Sequence, residues 1–155
     1  MTRAEKAVAL HNGGSSCSQA VFTVFADDFG LDEGLAHKLS TGLGGGIGRL
    51  GLSCGALTGG VLALSLAFGS ATGADQDAKM KTYEVVSKFM ADMEAKYGTT
   101  QCRVLLEGAD LWTEAGRTEV KAKGLGEKVC NRMVAEAVDY VERATAQGAQ
   151  GKTNG

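Results

Sequence analysis

Residues Gly42 to Gly69 read GLGGGIGRLGLSCGALTGGVLALSLAFG. Seven glycines fall between Gly42 and Gly55, and an uncharged apolar run follows from Ala56 to Phe68. The first part is a backbone with little conformational preference of its own. The second is too short to cross a bilayer, which needs about 20 apolar residues, so it predicts the buried central helix of a soluble domain, at about 54–68. Ser53 is a good N-cap residue. That places Cys54 in the first helical turn, where the helix dipole and free N–H groups favour a thiolate. Gly59, Gly60 and Ala63 make one side of the helix thin. Mid-helix glycine costs about 1 kcal/mol against alanine, so a close helix–helix contact is expected there. A homodimer through Gly59 and Gly60 is a second use for the same surface.

Composition bounds the remaining options. A chain of 155 residues fits one domain, here 1–147, with the glycine-rich polar residues 148–155 read as a disordered tail. Charged residues at 22% and hydrophobics at 44% are ordinary for a globular protein. The net charge of −2 leaves no basic footprint for nucleic acid, and no run is long enough for a membrane span. No targeting pattern precedes the first helix, which predicts a cytoplasmic protein. Four cysteines in such a chain point to metal binding or redox work rather than structural disulfides. With two histidines, there is little material for hydrolytic Ser-His or Cys-His chemistry.

Outward from the central helix the pattern is all-α, about six helices with no convincing strand. Thr2 with Glu5 forms a capping box and opens a helix that stops at Asn12-Gly13-Gly14. His11 reads as a cation at that helix's C-terminal end. Ser16 with Gln19 is a second capping box, with Cys17 in the first turn and Ala20, Val21, Val24 and Phe25 facing inward. Leu31-Asp32 opens a further helix. A long amphipathic helix runs from about Asp75 to Tyr97, its inner face marked by Tyr83, Val86, Phe89, Met90 and Met93. Gly98 stops it. Thr99 or Thr100 caps the next helix, placing Cys102 in another first turn. Ala109 to Gly126 is polar and broken by Gly116 and Gly124, and reads as a loop or lid with Trp112 as a partly buried anchor. The last helix, from about Gly126 to Gln147, carries Cys130 beside a stripe of Val129, Met133, Val134, Ala137, Val138 and Val141.

Gly46-Ile47-Gly48-Arg49-Leu50-Gly51 matches GxGxxG, but that pattern binds dinucleotides only after a strand, and LAHKLSTGL before it looks helical. A better use for the segment is at the cysteines. Gly46, Gly48, Arg49, Ser53 and Gly55 are the candidate cofactor-binding residues: backbone N–H groups could donate to sulfur, and Arg49 could sit beside an anionic group. No CxxC occurs, so no zinc-ribbon or thioredoxin spacing is present. Three of the four cysteines nonetheless sit at predicted helix starts, which favour anionic sulfur.

These residues carry a resemblance. Cys17, the block GGGIGRLGLSCGALTGG with Cys54-Gly55-Ala56, YGTTQCRVLL around Cys102, and Cys130 in KVCNRMVAEAV fall in the order of the C_GCAxxG_C_C family, from about Asn12 to Val141. The block departs from the nominal GCAxxG in reading Cys54-Gly55-Ala56, and Leu52 stands where a more polar residue is expected. The resemblance implies a compact helical domain with thiol-based redox or iron–sulfur chemistry.

Three functions follow. In the first, Cys17, Cys54, Cys102 and Cys130 ligate an iron–sulfur cluster for electron transfer, four being the usual ligand count. In the second, the four are redox-active thiols and a pair, such as Cys17 with Cys54, cycles between dithiol and disulfide. In the third, zinc or no metal at all staples a helical module that binds another protein. No redox partner protein can be named from the sequence.

Overall fold

The computed structural model describes residues 1–153, with side chains as far as 146. Among the described residues there are eight α-helices and no strand: α1 (Arg3–Asn12), α2 (Cys17–Thr23), α3 (Glu33–Leu39), α4 (Gly55–Phe68), α5 (Gln76–Tyr97), α6 (Cys102–Leu105), α7 (Glu114–Ala122) and α8 (Asn131–Thr153). Short 3-10 turns occupy Ala26–Phe29 and Thr41–Leu43, and a π-helical turn, Gly126–Cys130, leads into α8. The all-α expectation holds, with two more helices than the sequence suggested.

The local rules explain most of the boundaries. Both capping boxes form: Thr2 and Glu5 exchange bonds at the head of α1, and Ser16 and Gln19 do so at the head of α2. Asp75 caps α5 through the Ala78 N–H, and Gly98, at φ 81°, ends it. α4 is the buried centre. α2, α5 and α8 pack on it, and α1 lies along α8. The largest fully buried side chains, Phe25, Leu57, Leu64, Phe89, Met133, Val138 and Val141 among them, fill the space between these helices. Arg3 stacks its guanidinium on the Phe25 ring, 4.6 Å from its centre, and pairs with Asp28 and Glu142, tying α1 to the turn after α2 and to α8.

The thin side of α4 is used for close packing inside the chain. A side-chain carbon at Gly59 would stand 2.7 Å from the Ser18 carbonyl oxygen of α2. One at Gly60 would stand 2.9 Å from the Phe89 ring of α5. Both glycines are buried, so neither offers a free face to a second copy.

Four expectations are corrected. Tyr83 is 55% exposed, because α5 turns Thr82, Phe89 and Met93 inward instead. Trp112 is 69% exposed and anchors nothing. The polar stretch from Ala109 contains a helix, α7, capped by Thr113 through the Gly116 N–H. α8 starts at Asn131 rather than Gly126 and continues past Gln147 to Thr153. Of the expected tail, 148–155, residues 154 and 155 lie outside the described ones.

Candidate functional site

Long sequence gaps separate the four cysteines, and four different local devices bring them together. Cys17 is the first residue of α2, behind its capping box. Cys54 is not held by a Ser53 cap. It is itself the N-cap of α4, its sulfur facing the Ala56 and Leu57 N–H groups. Its own N–H donates to the Thr100 carbonyl at 2.8 Å, and a lone antiparallel bridge joins Ser53 to Gln101. The pairing continues from the Cys102 N–H to the Leu52 carbonyl (2.6 Å) and from the Arg103 N–H to the Gly51 carbonyl (3.1 Å). Backbone pairing thus sets the start of α6, where Gln101 occupies the cap position without a side-chain bond and neither Thr99 nor Thr100 caps. Cys130 closes the π-helical turn just before α8.

The glycine loop makes the approach possible. Gly45 to Arg49 are five successive left-handed residues, Ile47 and Arg49 included. L-residues pay about 1–2 kcal/mol each for that conformation. The turn drives Gly46 into contact with α6: a side-chain carbon there would lie 2.8 Å from Cβ of Cys102 and 2.6 Å from the Leu52 nitrogen. A 3-10 turn, not a strand, precedes the loop, which removes the context a dinucleotide fingerprint requires.

All four cysteines line one cavity of about 220 Å³, with His11, Ser16, Gly45, Gly55, Leu105, Leu106, Leu111, Val120, Gly126, Val129 and Met133. No acidic or basic side chain other than the histidine reaches it. Cys54 belongs to the main hydrophobic core and Cys102 to a second small one with Leu106, Ala109 and Leu125, so the cavity marks the seam between them. Of the candidate cofactor-binding residues, Gly55 lines the cavity, Gly46 backs Cys102, and Ser53 serves the backbone bridge. Gly48 faces open space and Arg49 is exposed, so neither is brought to the thiols.

Burial reverses the expected thiolate character. It pushes Cys54 up to about 11, against the lowering pull of the Ala56 and Leu57 N–H groups, and Cys102 up to about 12. Desolvating a thiolate outweighs what a helix end returns. The remaining two thiols shift each other: the neighbouring Cys130, ahead of burial, raises Cys17, and Cys17 lowers Cys130. Cys17 responds most to Cys130 and to a lesser degree to Cys54 and Cys102.

His11 is the residue the sequence undervalued. Its Nε2 lies 3.5 Å from the Cys17 sulfur and its Nδ1 lies 2.6 Å from Oδ1 of Asn131. No local pattern connects residues 11 and 131; only the packing of α1 on α8 does.

α7 roofs the cavity with Val120, and Arg117 straps it down by donating to the Leu111 and Trp112 carbonyls, both at 2.9 Å. Gly116 is buried against the Asp110 main chain, where a side-chain carbon would collide with the carbonyl group. Gly116→Ala is therefore expected to lift the roof at a cost of about 1–3 kcal/mol, speeding alkylation of the cavity thiols roughly tenfold. Mass-spectrometric alkylation rates read this directly, and an unchanged rate would show that α7 does not guard the cavity.

The family model described as "Putative redox-active protein (C_GCAxxG_C_C)" matches residues 15–144, which hold all four cysteines. No curated protein and no solved structure matches the chain.

Proposed function

The chain belongs to the C_GCAxxG_C_C family of redox-active description, and from that membership we propose that Cys17, Cys54, Cys102 and Cys130 together hold an iron–sulfur cluster for electron transfer. The observation that carries the reading is the shared cavity. Four thiols border about 220 Å³ of otherwise apolar space, and four thiolates are the usual ligand set for such clusters. Among the described residues, no three His, Cys, Asp or Glu side chains form a ready site for a single metal ion. When bound, the cluster would supply one-electron chemistry.

The chain's own residues account for the rest. The apolar walls from Leu105, Leu106, Leu111 and Val129 keep water from the sulfurs, a lever on potential. The Ala56 and Leu57 N–H groups near the Cys54 sulfur favour its anionic form, against the effect of burial. Among the described residues, the N–H of Gly45, which lines the cavity, donates to no protein acceptor.

A second reading has one specific observation in its favour: Cys17 and Cys130 line the same cavity and shift each other's ionisation. A thiol pair with one member lowered and the other raised is poised for disulfide formation. Oxidation would join the two sulfurs and pass two electrons and two protons to an acceptor.

A visible spectrum of protein purified without oxygen, with iron, sulfide and zinc assayed on the same sample, separates the readings. Broad visible absorption with stoichiometric iron and sulfide is expected. A colourless, metal-free protein that loses one pair of thiols on oxidation would replace the cluster with the dithiol. Colourless, zinc-loaded protein would replace it with a structural staple.

A further inference from the structure

A second recess, larger than the thiol cavity, runs between α5 and α8. It is a groove of about 610 Å³, within the range of roughly 300–1,000 Å³ usual for small-molecule sites. Phe68, the last residue of α4, borders it, whereas Cys54 and Gly55 at the first turn of α4 border the thiols. At the α-helical rise, the length of α4 separates the two by about 20 Å. No cysteine lines the groove.

Its walls are apolar and held in place. Phe68 lies so close to Gly148 that a side-chain carbon there would stand 2.5 Å from Cε1 and 2.6 Å from Cζ of the ring. A glycine inside a helix costs about 1 kcal/mol against alanine, and here it seats an aromatic ring at the groove. Tyr140 is fixed twice: its ring packs on Phe89 with centroids 4.8 Å apart, and its hydroxyl donates to Oδ2 of Asp92 at 2.6 Å. Val85 and Ala144 add aliphatic surface. The charges at the groove do not balance. Lys88 donates to the same Asp92 oxygen at 2.7 Å, so these two cancel within the protein. Lys81, Glu84 and Arg143 also line the groove and, among the described residues, enter no ion pair. One positive charge is left over. On α5 the lining runs from Lys81 to Asp92, about 16 Å of helix, so an elongated occupant fits. A cation would be opposed by Lys81 and Arg143, and a dianion would bring its second charge against Glu84. We propose that this groove binds an elongated amphiphilic monocarboxylate, its apolar body on Phe68, Val85, Tyr140 and Ala144 and its carboxylate paired with Lys81 and Arg143. The site stands independently of the chemistry at the four cysteines.

The test is calorimetric titration of the full reduced chain with dodecanoate, kept below its micelle concentration, with amide NMR to locate the ligand. Saturable one-to-one binding is expected, with shifts centred on residues 81–92 and 140–148. Dodecylamine and, at pH 8, dodecyl phosphate should bind more weakly. Lys81→Ala and Arg143→Ala alter exposed side chains, so both variants are expected to fold. Each should weaken dodecanoate about two- to fivefold, the scale of an exposed ion pair, and Glu84→Gln should tighten it by a similar factor. Gly148→Ala pushes the Phe68 ring aside and should weaken binding without changing any charge. Absence of saturable binding overturns the proposal, as do shifts centred on the thiol cavity. Equal affinity for dodecylamine, or wild-type affinity in the variant lacking both Lys81 and Arg143, would remove the charge match and overturn it as well.

Discussion

Cys54→Ser is expected to abolish stoichiometric iron and sulfide while leaving the metal-free fold in place. Serine is a preferred N-cap and nearly the same size, so α4 keeps its start. What is lost is the sulfur that faces the Ala56 and Leu57 N–H groups at the seam between the two cores. Iron assay on anaerobically purified variant protein, with a thermal melt of the stripped form, reads the two effects separately. The same variant divides the two functional readings. Cys54 is not a member of the Cys17–Cys130 pair, so a dithiol protein using that pair would still form its disulfide in Cys54→Ser. A cluster protein would lose its visible absorption. Metal uptake by the wild type carries a pH signature as well. Burial holds Cys54 near 11 and Cys102 near 12. Both are therefore protonated at neutral pH and must release protons on ligation, so uptake should strengthen as pH rises. The stripped protein has the opposite slope. Unfolded thiols ionise near their ordinary value and folded ones only higher, so the unfolded state binds fewer protons above pH about 9, and stability falls there.

The parts of this fold that follow from neighbours in sequence were legible, and those that follow from distant pairing were not. The Thr2–Glu5 and Ser16–Gln19 boxes and the Asp75 and Gly98 ends of α5 rest on bonds within a few residues, and each forms as expected. Ser53 satisfied the same local rule, yet it does not cap, because the backbone from Gly51 to Cys54 is already committed to Thr100–Arg103. α7 escaped detection for a related reason. Its own sequence is polar, and its apolar contact comes from Val120 against a small core whose other members lie in Leu106, Ala109 and Leu125. Three cysteines were rightly placed at helix starts, and the inference to thiolates failed because the pattern of caps says nothing about how deeply the sulfur is buried. His11 shows the limit most plainly. It has no sequence neighbour among its partners beyond Cys17, and its partner Asn131 stands at the far end of the chain.

Gly59→Val should produce the largest loss of stability. α2 crosses α4 at this glycine so closely that even a single carbon would press on the Ser18 carbonyl oxygen at 2.7 Å and on its Cα at 3.1 Å. Those are backbone atoms, which cannot swing aside as a side-chain tip can, so α2 must move bodily. Overpacking of this kind costs about 3 kcal/mol, which for a chain of this length lowers Tm by roughly 6–12 °C. The displacement also reaches the site. Gly55 and Gly59 lie one turn apart on the same side of α4, a side-chain carbon added at Gly55 would stand 3.3 Å from Cys17 Cβ, and Cys17 heads the helix that must shift. Gly60→Ala is the matched control. Its added carbon meets the Phe89 ring of α5 at 2.9 Å, and among the described residues α5 carries no cysteine. Both variants should melt earlier than the wild type, but only Gly59→Val should also lose metal uptake at temperatures where it remains folded. Equal uptake by the two would mean that the α2–α4 contact holds the fold without setting the distance between Cys17 and Cys54.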